Sequence, residues 1–460
     1  MSQSTSSAPL RRGTPRATLA ALGLKIRPLD LFAAIRQRVR IPQKTVKYSP
    51  IEKLFDAFIA CLAGAKGLVE VNQRWRADPA RQAAVGRSAC AEQSTIQETL
   101  SACTPENVIQ LPAAVAAIYQ QYRQGGQHDY TRGRQLLDVD MSGMPCGKQA
   151  AFATKGYFAH EPNRRGRQLG RVLASQYDEV VADRLFDGKT QLTTALQPLV
   201  EAAERTLGLD EEQRARTILR VDAGGGALSQ VNWVLARGYP FHGKDYSQQR
   251  AQNLAQTVTA WVKDPRLPER ELGWVEAEPS EYVTPVRRVA VRARKANGTW
   301  GIGVLIATLT PEEVLEETGQ PKAASQDPVA VLTAYVYYYD RRAGAVEVSL
   351  KEDKQGLGST RRNKQRFEGQ QLLVQLNVLA HNVLVWARGW LAETAPKVVQ
   401  FGIQRLVRDV LAVAGAVEFD AAGQVGRIVL NEADALARRC VAAFQSLVGL
   451  EHARINLGQT

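Results

Sequence analysis

Two apolar runs that each contain an aspartate, LLDVDMSG (residues 136–143) and TILRVDAGGG (residues 217–226), decide the predicted fold of this chain. Each run is rich in aliphatic and β-branched residues and ends in turn residues, which is typical of a buried strand. Helical patterns follow them, at TTALQPLVEAAERTLG and ALSQVNWVLARGY. Strands that alternate with helices predict a mixed α/β sheet. Because functional groups gather at strand ends in such sheets, we expect Asp140 and Asp222 to lie there.

A third acid, Glu347, opens a basic, helix-forming segment that runs to Phe367. Mg²⁺ prefers oxygen ligands, and a pair of such ions is held by a few carboxylates from separate elements. We therefore expect Asp140, Asp222 and Glu347 to converge on Mg²⁺, with Mn²⁺ as a substitute. Asp138 is the alternative first ligand. Each acid also has an ordinary interpretation, as a turn former, a helix cap or a solvated helix residue.

The charge of the chain points to a polyanionic partner. The 460 residues carry a net charge of +13, and the pI is about 9.6. Residues 1–47 contain ten Lys or Arg residues and one acid, so they supply +9 of that charge. This composition predicts a flexible basic arm that follows phosphates. A mitochondrial presequence is the alternative interpretation, because the segment is rich in Arg and Ser.

The cysteines and the apolar stretches exclude several classes of protein. Five cysteines without a CxxC pair support neither a disulfide framework nor a zinc ribbon, so a reducing cytoplasm is expected. The longest apolar stretch, LLVQLNVLAHNVLVWA, is interrupted by polar residues and predicts a buried helix rather than a membrane span. No membrane partner is expected.

The order of patterns along the chain predicts five regions. The basic arm (1–47) precedes a helical DNA-binding region (48–130), in which QSTIQETL is a candidate groove helix of a helix-turn-helix. The first part of the α/β core (131–240) is followed by a β-rich segment (241–335) that is inserted into the core or extends it. In that segment, NGTW predicts a hairpin, and AVLTAYVYYYD has β-like composition. Residues 336–460 complete the core and add C-terminal helices.

Taken in order, DVDMSG, RVDAGGG and YDRRAGAVEVSLKEDK resemble the DDE transposases of bacterial insertion sequences. They resemble in particular the branch whose last acid lies in a Tyr-x2-Arg-x3-Glu-x6-Lys signature. Tyr339, Arg342, Glu347 and Lys354 follow that signature with one extra residue before the Glu. The extra residue falls in Ala-Gly-Ala, where a bulge would absorb it. The resemblance covers residues 135–390, about 55% of the chain.

The resemblance implies an RNase H-like mixed sheet with flanking helices and a β-rich insertion. It implies metal-dependent cleavage at the ends of a mobile element, followed by strand transfer into target DNA. The implied partners are double-stranded DNA and a second copy of the chain bridged by DNA, and the implied location is the bacterial cytoplasm at the nucleoid. A domesticated nuclease with the same acids and an inactive DNA-binding regulator are the alternatives.

The resemblance also implies residues that contact DNA. Arg342 and Lys354 would contact phosphates near the cut, and Tyr339 would bond a backbone oxygen. The basic residues that follow Glu347 suit an approaching phosphate backbone or form a solvated charged face; they include Arg361, Arg362 and Lys364. Trp274 and Trp300 are candidates for stacking on bases, or core residues.

Overall fold

The computed structural model describes residues 10–158, 161 and 163–460. These residues form two compact units. The unit that we call central contains Gln124–Lys148 and the described residues from Phe152 to Leu350. The unit that we call terminal contains the described residues up to Arg123, together with Gln149–Ala151 and Lys351–Thr460. The chain passes from the central to the terminal unit after Leu350, so the first residues of the predicted last region (336–460) belong to the central unit and the rest to the terminal unit.

The described residues form fourteen strands: β1 (Leu10–Thr14), β2 (Gln135–Pro145), β3 (Thr154–Lys155), β4 (Arg165–Ala174), β5 (Glu179–Asp187), β6 (Thr217–Val221), β7 (Phe241–Lys244), β8 (Val262–Asp264), β9 (Leu267–Trp274), β10 (Arg287–Arg294), β11 (Trp300–Ala307), β12 (Gly415–Phe419), β13 (Val425–Asn431) and β14 (Arg454–Gly458).

The same residues form sixteen α-helices: α1 (Ala17–Leu29), α2 (Ala33–Arg38), α3 (Pro50–Leu62), α4 (Pro79–Ala84), α5 (Gln93–Ser101), α6 (Pro105–Tyr122), α7 (Leu192–Leu207), α8 (Glu211–Ala215), α9 (Leu228–Ala236), α10 (Gln248–Ala255), α11 (Pro311–Glu317), α12 (Pro328–Asp340), α13 (Val348–Glu352), α14 (Phe367–Ala392), α15 (Ile403–Arg408) and α16 (Ala435–Val448).

One ten-stranded mixed sheet forms the frame of the central unit. Its order runs β4-β2-β6-β7-β11-β10-β9-β8, and both β3 and β5 pair with β4. The β5-β4 and β4-β2 pairs are antiparallel, whereas the β2-β6 and β6-β7 pairs are parallel. Strand β11 pairs antiparallel with β7, so the β-rich segment extends the core sheet. Of the two forms that the sequence left open, extension is the one observed.

The two faces of this sheet are covered by different helices. Leu136 of β2 and Ile218 of β6 belong to a buried cluster that includes Val331, Leu332 and Tyr335 of α12. The opposite face of the sheet packs on α7, which contacts β2, β4 and β5. Because side chains alternate along a strand, every second residue from Leu136 and from Ile218 faces α12. That rule places Asp140 and Asp222 on the α12 face.

Several elements form where local signals predict them. Ser49 and Glu52 make a reciprocal capping box at the start of α3, and Pro50 occupies its first turn. Gly208 ends α7 with a φ of 71°, a left-handed conformation that suits glycine. NGTW closes the predicted hairpin between β10 and β11.

The prediction that AVLTAYVYYYD is β structure is wrong, because the whole of this segment lies within α12. The side chain of Asp327 accepts a hydrogen bond from the Val329 backbone N–H, and Pro328 occupies the first turn. These signals start a helix, and packing of Tyr335 and its neighbours on the sheet then outweighs the β propensity of the valines and tyrosines. The β-rich part of the segment ends at Ala307.

In the terminal unit, strands from both ends of the chain form a four-stranded sheet in the order β1-β12-β13-β14. The expected flexible arm is therefore wrong for much of its length. Leu10–Thr14 is paired with Gly415–Phe419, and α1 is buried along most of its length. Residues 1–9 lie outside the described residues. The apolar stretch in α14 is a buried helix, as predicted.

Neither a disulfide nor a membrane span is found in the parts of the chain that the structure describes. All five cysteines are buried and unpaired. No helix within the described ranges, α14 included, is long and apolar enough to cross a membrane.

Candidate carboxylate active site

Strand register brings the first two predicted acids together. Strands β2 and β6 are parallel, and their paired residues run from Gln135 opposite Thr217 to Val139 opposite Val221. Asp140 and Asp222 directly follow this paired stretch, one after Val139 and the other after Val221. Neighbouring strands lie about 4.8 Å apart, so the two acids leave the sheet side by side on one face. The prediction that these two distant residues converge is consistent with this register.

The two acids differ in how their strands end. Strand β6 ends at Val221, directly before Asp222. Strand β2 continues to Pro145 and stays paired with β4, with Asp140 opposite Arg171. Asp140 is therefore not at the end of its strand, contrary to the prediction. Asp140 lies where the pairing of β2 with β6 ends. One edge of β2 is therefore unpaired at Asp140, while pairing with β4 along the other edge keeps the backbone rigid.

Arg342 links Asp140 to the third predicted acid. Its Nη1 lies 3.3 Å from Asp140 Oδ2, and its Nη2 donates a 2.6 Å hydrogen bond to Glu347 Oε1. The side chain of Arg342 is 7% exposed, whereas that of Glu347 is 47% exposed. The three residues therefore form a cluster with Arg342 at its buried centre and Glu347 at its rim.

All three acids contribute to the electrostatics of the cluster. Burial raises the pKa of Asp140 to about 6; Arg342 opposes that shift, while Asp222 and Glu347 add to it. Burial lowers the pKa of Arg342, but the negative charges of Asp140, Asp222 and Glu347, among others, outweigh burial and raise it overall. Three carboxylates around one guanidinium leave an excess of negative charge in a poorly solvated place.

A turn of π-helix positions Glu347. Residues Ala343–Glu347 form this turn between α12 and α13. A π-helical turn accommodates one more residue than an α-helical turn. The extra residue in Ala-Gly-Ala falls within it, so the expected local bulge is present as a wide helical turn.

The glycines after Asp222 allow a close backbone approach. A Cβ on Gly226 would lie 1.7 Å from the Lys244 carbonyl oxygen, so only glycine fits where β6 turns beside the end of β7. This turn holds Asp222 Oδ1 in a buried position without a hydrogen-bond partner. A buried carboxylate oxygen without a partner needs a cation or a donor from outside.

The donor set suits a hard divalent cation, but the ligands are not arranged as a finished metal site. Within residues 10–158, 161 and 163–460, no group of three His, Cys, Asp or Glu side chains is placed to hold a metal ion as it stands. The oxygen ligands, the excess negative charge and the unpartnered Asp222 Oδ1 fit Mg²⁺ or Mn²⁺. Asp140 and Glu347 contact the Arg342 guanidinium instead.

Asp138, the alternative first ligand, is committed elsewhere. It is fully buried and receives hydrogen bonds of 2.6 and 2.8 Å from Arg220 Nε and Nη2, and another from Ser175. Arg220 also donates to the carbonyl oxygen of Tyr338 near the end of α12. Arg220 was not among the predicted site residues, although it lies two residues before Asp222, as Asp138 lies two residues before Asp140.

The residues predicted to contact DNA are found in different environments. Arg342 is buried among carboxylates and does not face solvent. Tyr339 is half-buried beside it, and burial raises the pKa of its phenol to about 12. Lys354 is half-buried in a second π turn, Asp353–Leu357, which belongs to the terminal unit.

The three basic residues after Lys354 also belong to the terminal unit. Arg361 is exposed. Arg362 is 3% exposed and donates hydrogen bonds to Leu357 O at 2.7 Å and to Asn377 Oδ1 at 2.6 Å, so its predicted role in phosphate contact is wrong. Lys364 donates to Gln97 Oε1 at 2.6 Å, and burial lowers its pKa to about 8.

The two candidate tryptophans have different partners. Trp274 packs against the α12 core, with its ring 5.6 Å from Tyr335 in an edge-on arrangement. Trp300 is half-buried on β11, and the guanidinium of Arg292 lies between its ring, at 4.8 Å, and that of Trp261, at 4.0 Å. Trp274 is therefore a core residue, while Trp300 forms part of a cation–π stack.

A basic groove that the sequence analysis missed lies beside Tyr339. Its volume is about 510 Å³, and its lining includes four cationic side chains: Lys244, Arg270, Arg294 and Lys295. These residues come from β7, β9, β10 and the β10–β11 turn, so only the pairing of the extended sheet assembles them.

Comparison with known proteins adds little to this geometry. No family model matches the chain, and no curated protein matches it. Its fold is similar to that in a cryo-EM structure of a piggyBac transposase synaptic complex with hairpin DNA. That similarity has a TM-score of 0.45 at 10% sequence identity, and it covers 87% of this chain and 82% of the other. Similarity this distant does not identify a function.

Proposed function

We propose that this chain is a DDE-type DNA transposase, which cleaves DNA at the ends of an element and joins the freed ends to target DNA. The observation that carries the proposal is the position of Asp140 and Asp222, side by side on parallel strands, with Glu347 joined to Asp140 through Arg342. These contacts and this register support a cluster of three carboxylates from distant parts of the chain.

The topology of the sheet supports an RNase H-like core. The five strands β5-β4-β2-β6-β7 lie side by side in that order. Strand β4 is antiparallel to both of its neighbours, β5 and β2, and the last two strands run parallel to β2. In chain order the first of these strands is β2 and the fourth is β6, and the two are neighbours in the sheet, so Asp140 lies beside Asp222. Asp140 rather than Asp138 is the proposed first ligand, because Arg220 neutralises Asp138.

The residues have distinct proposed roles. Asp140, Asp222 and Glu347 would hold Mg²⁺ or Mn²⁺, and the metal would supply activation of the attacking oxygen and stabilisation of the leaving oxygen. In cleavage, a water oxygen bonds to the phosphorus and the 3′ oxygen leaves as a hydroxyl. In strand transfer, that 3′-hydroxyl oxygen bonds to the phosphorus of a target phosphodiester, and the target's 3′ oxygen leaves as a hydroxyl. The strands β2 and β6 would keep the half-buried Asp140 and Asp222 in place, and Tyr339 presents a neutral phenol beside the cluster.

The proposed partners are double-stranded DNA and a second copy of this chain. A net charge of +13 and the basic groove beside Tyr339 favour a polyanion close to the carboxylates. Two DNA ends have to be joined in transposition, so we propose a homodimer bridged by DNA. The proposed location is the bacterial cytoplasm, at the nucleoid.

The test is a cleavage and strand-transfer assay with the purified full-length chain. The substrate is a fluorescent duplex made from the DNA that flanks the coding sequence, incubated with plasmid target and Mg²⁺ or Mn²⁺. We expect the Asp222→Ala variant to lose about a thousandfold in rate, because a lost metal ligand removes several kcal/mol of transition-state stabilisation. Glu212→Ala, at an exposed acid of the central unit, is the matched control and should keep the wild-type rate.

The alternatives give different products. Cleaved DNA without joined product would identify a nuclease, and sequence-specific binding without cleavage would identify a regulator. Equal rates for the wild type and Asp222→Ala would contradict a role of the carboxylate cluster in catalysis.

A further inference from the structure

Arg342 occupies an unusual place for a residue that would contact DNA. Its side chain begins at the turn after α12 and points inward, so that its guanidinium lies between Asp140 and Glu347. The neighbouring arginine behaves differently. Arg341 is exposed, and its Nη1 donates to the Glu317 carbonyl oxygen at 3.3 Å. The contrast indicates that the inward position of Arg342 is specific to the cluster.

The charges of the cluster explain why a cation is held there. Two half-buried aspartates and a glutamate would repel one another in a poorly solvated site. Arg342 lowers that repulsion in the absence of any other cation. Its guanidinium also fills the centre of the cluster, and the described acids do not form a ready metal site around it. A divalent ion and this guanidinium would therefore compete for the same carboxylate oxygens.

We propose that Arg342 is a built-in counter-ion that a divalent metal replaces, and that a DNA phosphate receives the released guanidinium. This inference rests on the proposed function, because it concerns the same three acids. Arg342 has two alternative partners of the same chemical kind, carboxylate oxygens within the chain and phosphate oxygens of DNA. Without DNA, the arginine stays among the acids and weakens metal binding. With DNA, the released arginine is paired again, and the metal binds more tightly.

Thermodynamic linkage makes the proposal quantitative. If DNA increases the affinity for metal by a given factor, metal must increase the affinity for DNA by the same factor. Coupling of this kind typically amounts to about 5-fold to 150-fold. The arginine would thus restrict metal loading to the chain that already holds DNA, so that free protein carries little active cofactor.

The experiment measures Mn²⁺ binding by electron paramagnetic resonance of the free ion, with the full-length chain and no assay of activity. The variants are Arg342→Gln and, as the matched control, Arg341→Gln, which removes the same charge one residue away. We expect Arg342→Gln to bind Mn²⁺ at least about fivefold more tightly than the wild type without DNA, and Arg341→Gln to match the wild type. A random-sequence duplex, corrected for Mn²⁺ bound to duplex alone, should strengthen binding by the wild type but not by Arg342→Gln.

Two further variants separate failure of this inference from failure of the proposed function. Asp140→Asn and Asp222→Asn should each weaken Mn²⁺ binding if the carboxylates hold the metal. If they do, but Arg342→Gln binds Mn²⁺ no more tightly than the wild type, the counter-ion role is overturned and the metal site stands. If neither aspartate affects Mn²⁺ binding, the metal site itself is overturned. Thermal unfolding of each variant checks that the fold is retained.

Discussion

At the scale of single residues, His242 shows how burial changes a titration. It is fully buried on β7; its Nε2 lies 3.1 Å from the Tyr335 carbonyl oxygen, and its Nδ1 has no hydrogen-bond partner. Burial, assisted by the charge of Arg220, lowers its pKa to about 3. The folded chain therefore keeps this histidine neutral, whereas the unfolded chain takes up a proton below a pH of about 6.5.

This difference predicts a loss of stability in acid. Since the unfolded state binds the extra proton, the His242 contribution falls as pH drops from about 6.5 towards 3. Between pH 7 and pH 5 we expect a loss of about 2 kcal/mol in the unfolding free energy of the central unit. Chemical unfolding at both pH values should show that loss in the wild type and a smaller one in His242→Gln. The exposed His452→Gln is the control; an equal pH dependence in all three proteins would contradict the prediction.

At the scale of elements, a buried arginine connects the sheet to the end of α12. Arg220 on β6 pairs with Asp138 on β2 and donates to the Tyr338 carbonyl oxygen, which is among the last carbonyls of α12. The final carbonyls of a helix have no partner within it, so this donor completes the helix end. The turn that carries Arg342 and Glu347 follows directly. The Arg220–Asp138 pair thus fixes the end of α12 against β2 and β6. The turn that carries Glu347 is thereby held near the strands that position Asp140 and Asp222.

Removing one member of the Arg220–Asp138 pair should destabilise the fold more than replacing both members with apolar residues. We expect Arg220→Met to lower the unfolding free energy by about 3–5 kcal/mol, because Asp138 would remain buried without its counter-ion. The double variant Arg220→Met with Asp138→Leu should recover most of that loss, since no charge is then left unpaired. Urea unfolding of the single and double variants measures both effects. A double variant less stable than Arg220→Met would show that the pair contributes packing or geometry that apolar residues cannot supply.

At the scale of the whole molecule, the basic N-terminal region is part of the terminal unit. Strand β1 pairs with β12, and α1 is mostly buried. Deleting residues 1–47 would therefore remove core packing together with charge, and a loss of DNA binding would have two explanations. Replacing exposed cations while keeping the elements tests the charge alone. Arg38, Lys44 and Lys47 are exposed in this region.

The triple variant Arg38→Gln, Lys44→Gln and Lys47→Gln should bind duplex DNA more weakly than the wild type. The slope of log affinity against log salt is negative. Each phosphate contact that is lost should reduce the magnitude of this slope by about 0.9, since fewer counter-ions are released. Fluorescence anisotropy over a range of salt concentrations measures the slope, and an unchanged thermal unfolding midpoint shows that the terminal unit is intact. An unchanged slope would mean that these cations do not contact phosphates.

Several features follow from the amino-acid sequence because they depend on neighbouring residues. Runs of apolar residues closed by turns locate β2 and β6 and the acids on them. Ser49 with Glu52 starts α3, and Gly208 ends α7. The excess of Lys and Arg predicts a polyanionic partner without any knowledge of the fold. In each case the interactions that select the structure are made between residues close together in the sequence. The sequence pattern alone is therefore sufficient to predict it.

Other features were decided only by the tertiary structure, because they depend on residues far apart in the chain. Register across β2 and β6 places Asp140 beside Asp222, and packing on the sheet makes α12 a helix despite its β-like composition. Burial turns Arg342 inward and commits Arg362 to carbonyl and amide oxygens, although in sequence both are cations of the same basic segment. A sequence shows that a basic residue is close to an acid along the chain. Which oxygen its side chain contacts depends on where the fold buries that side chain away from water.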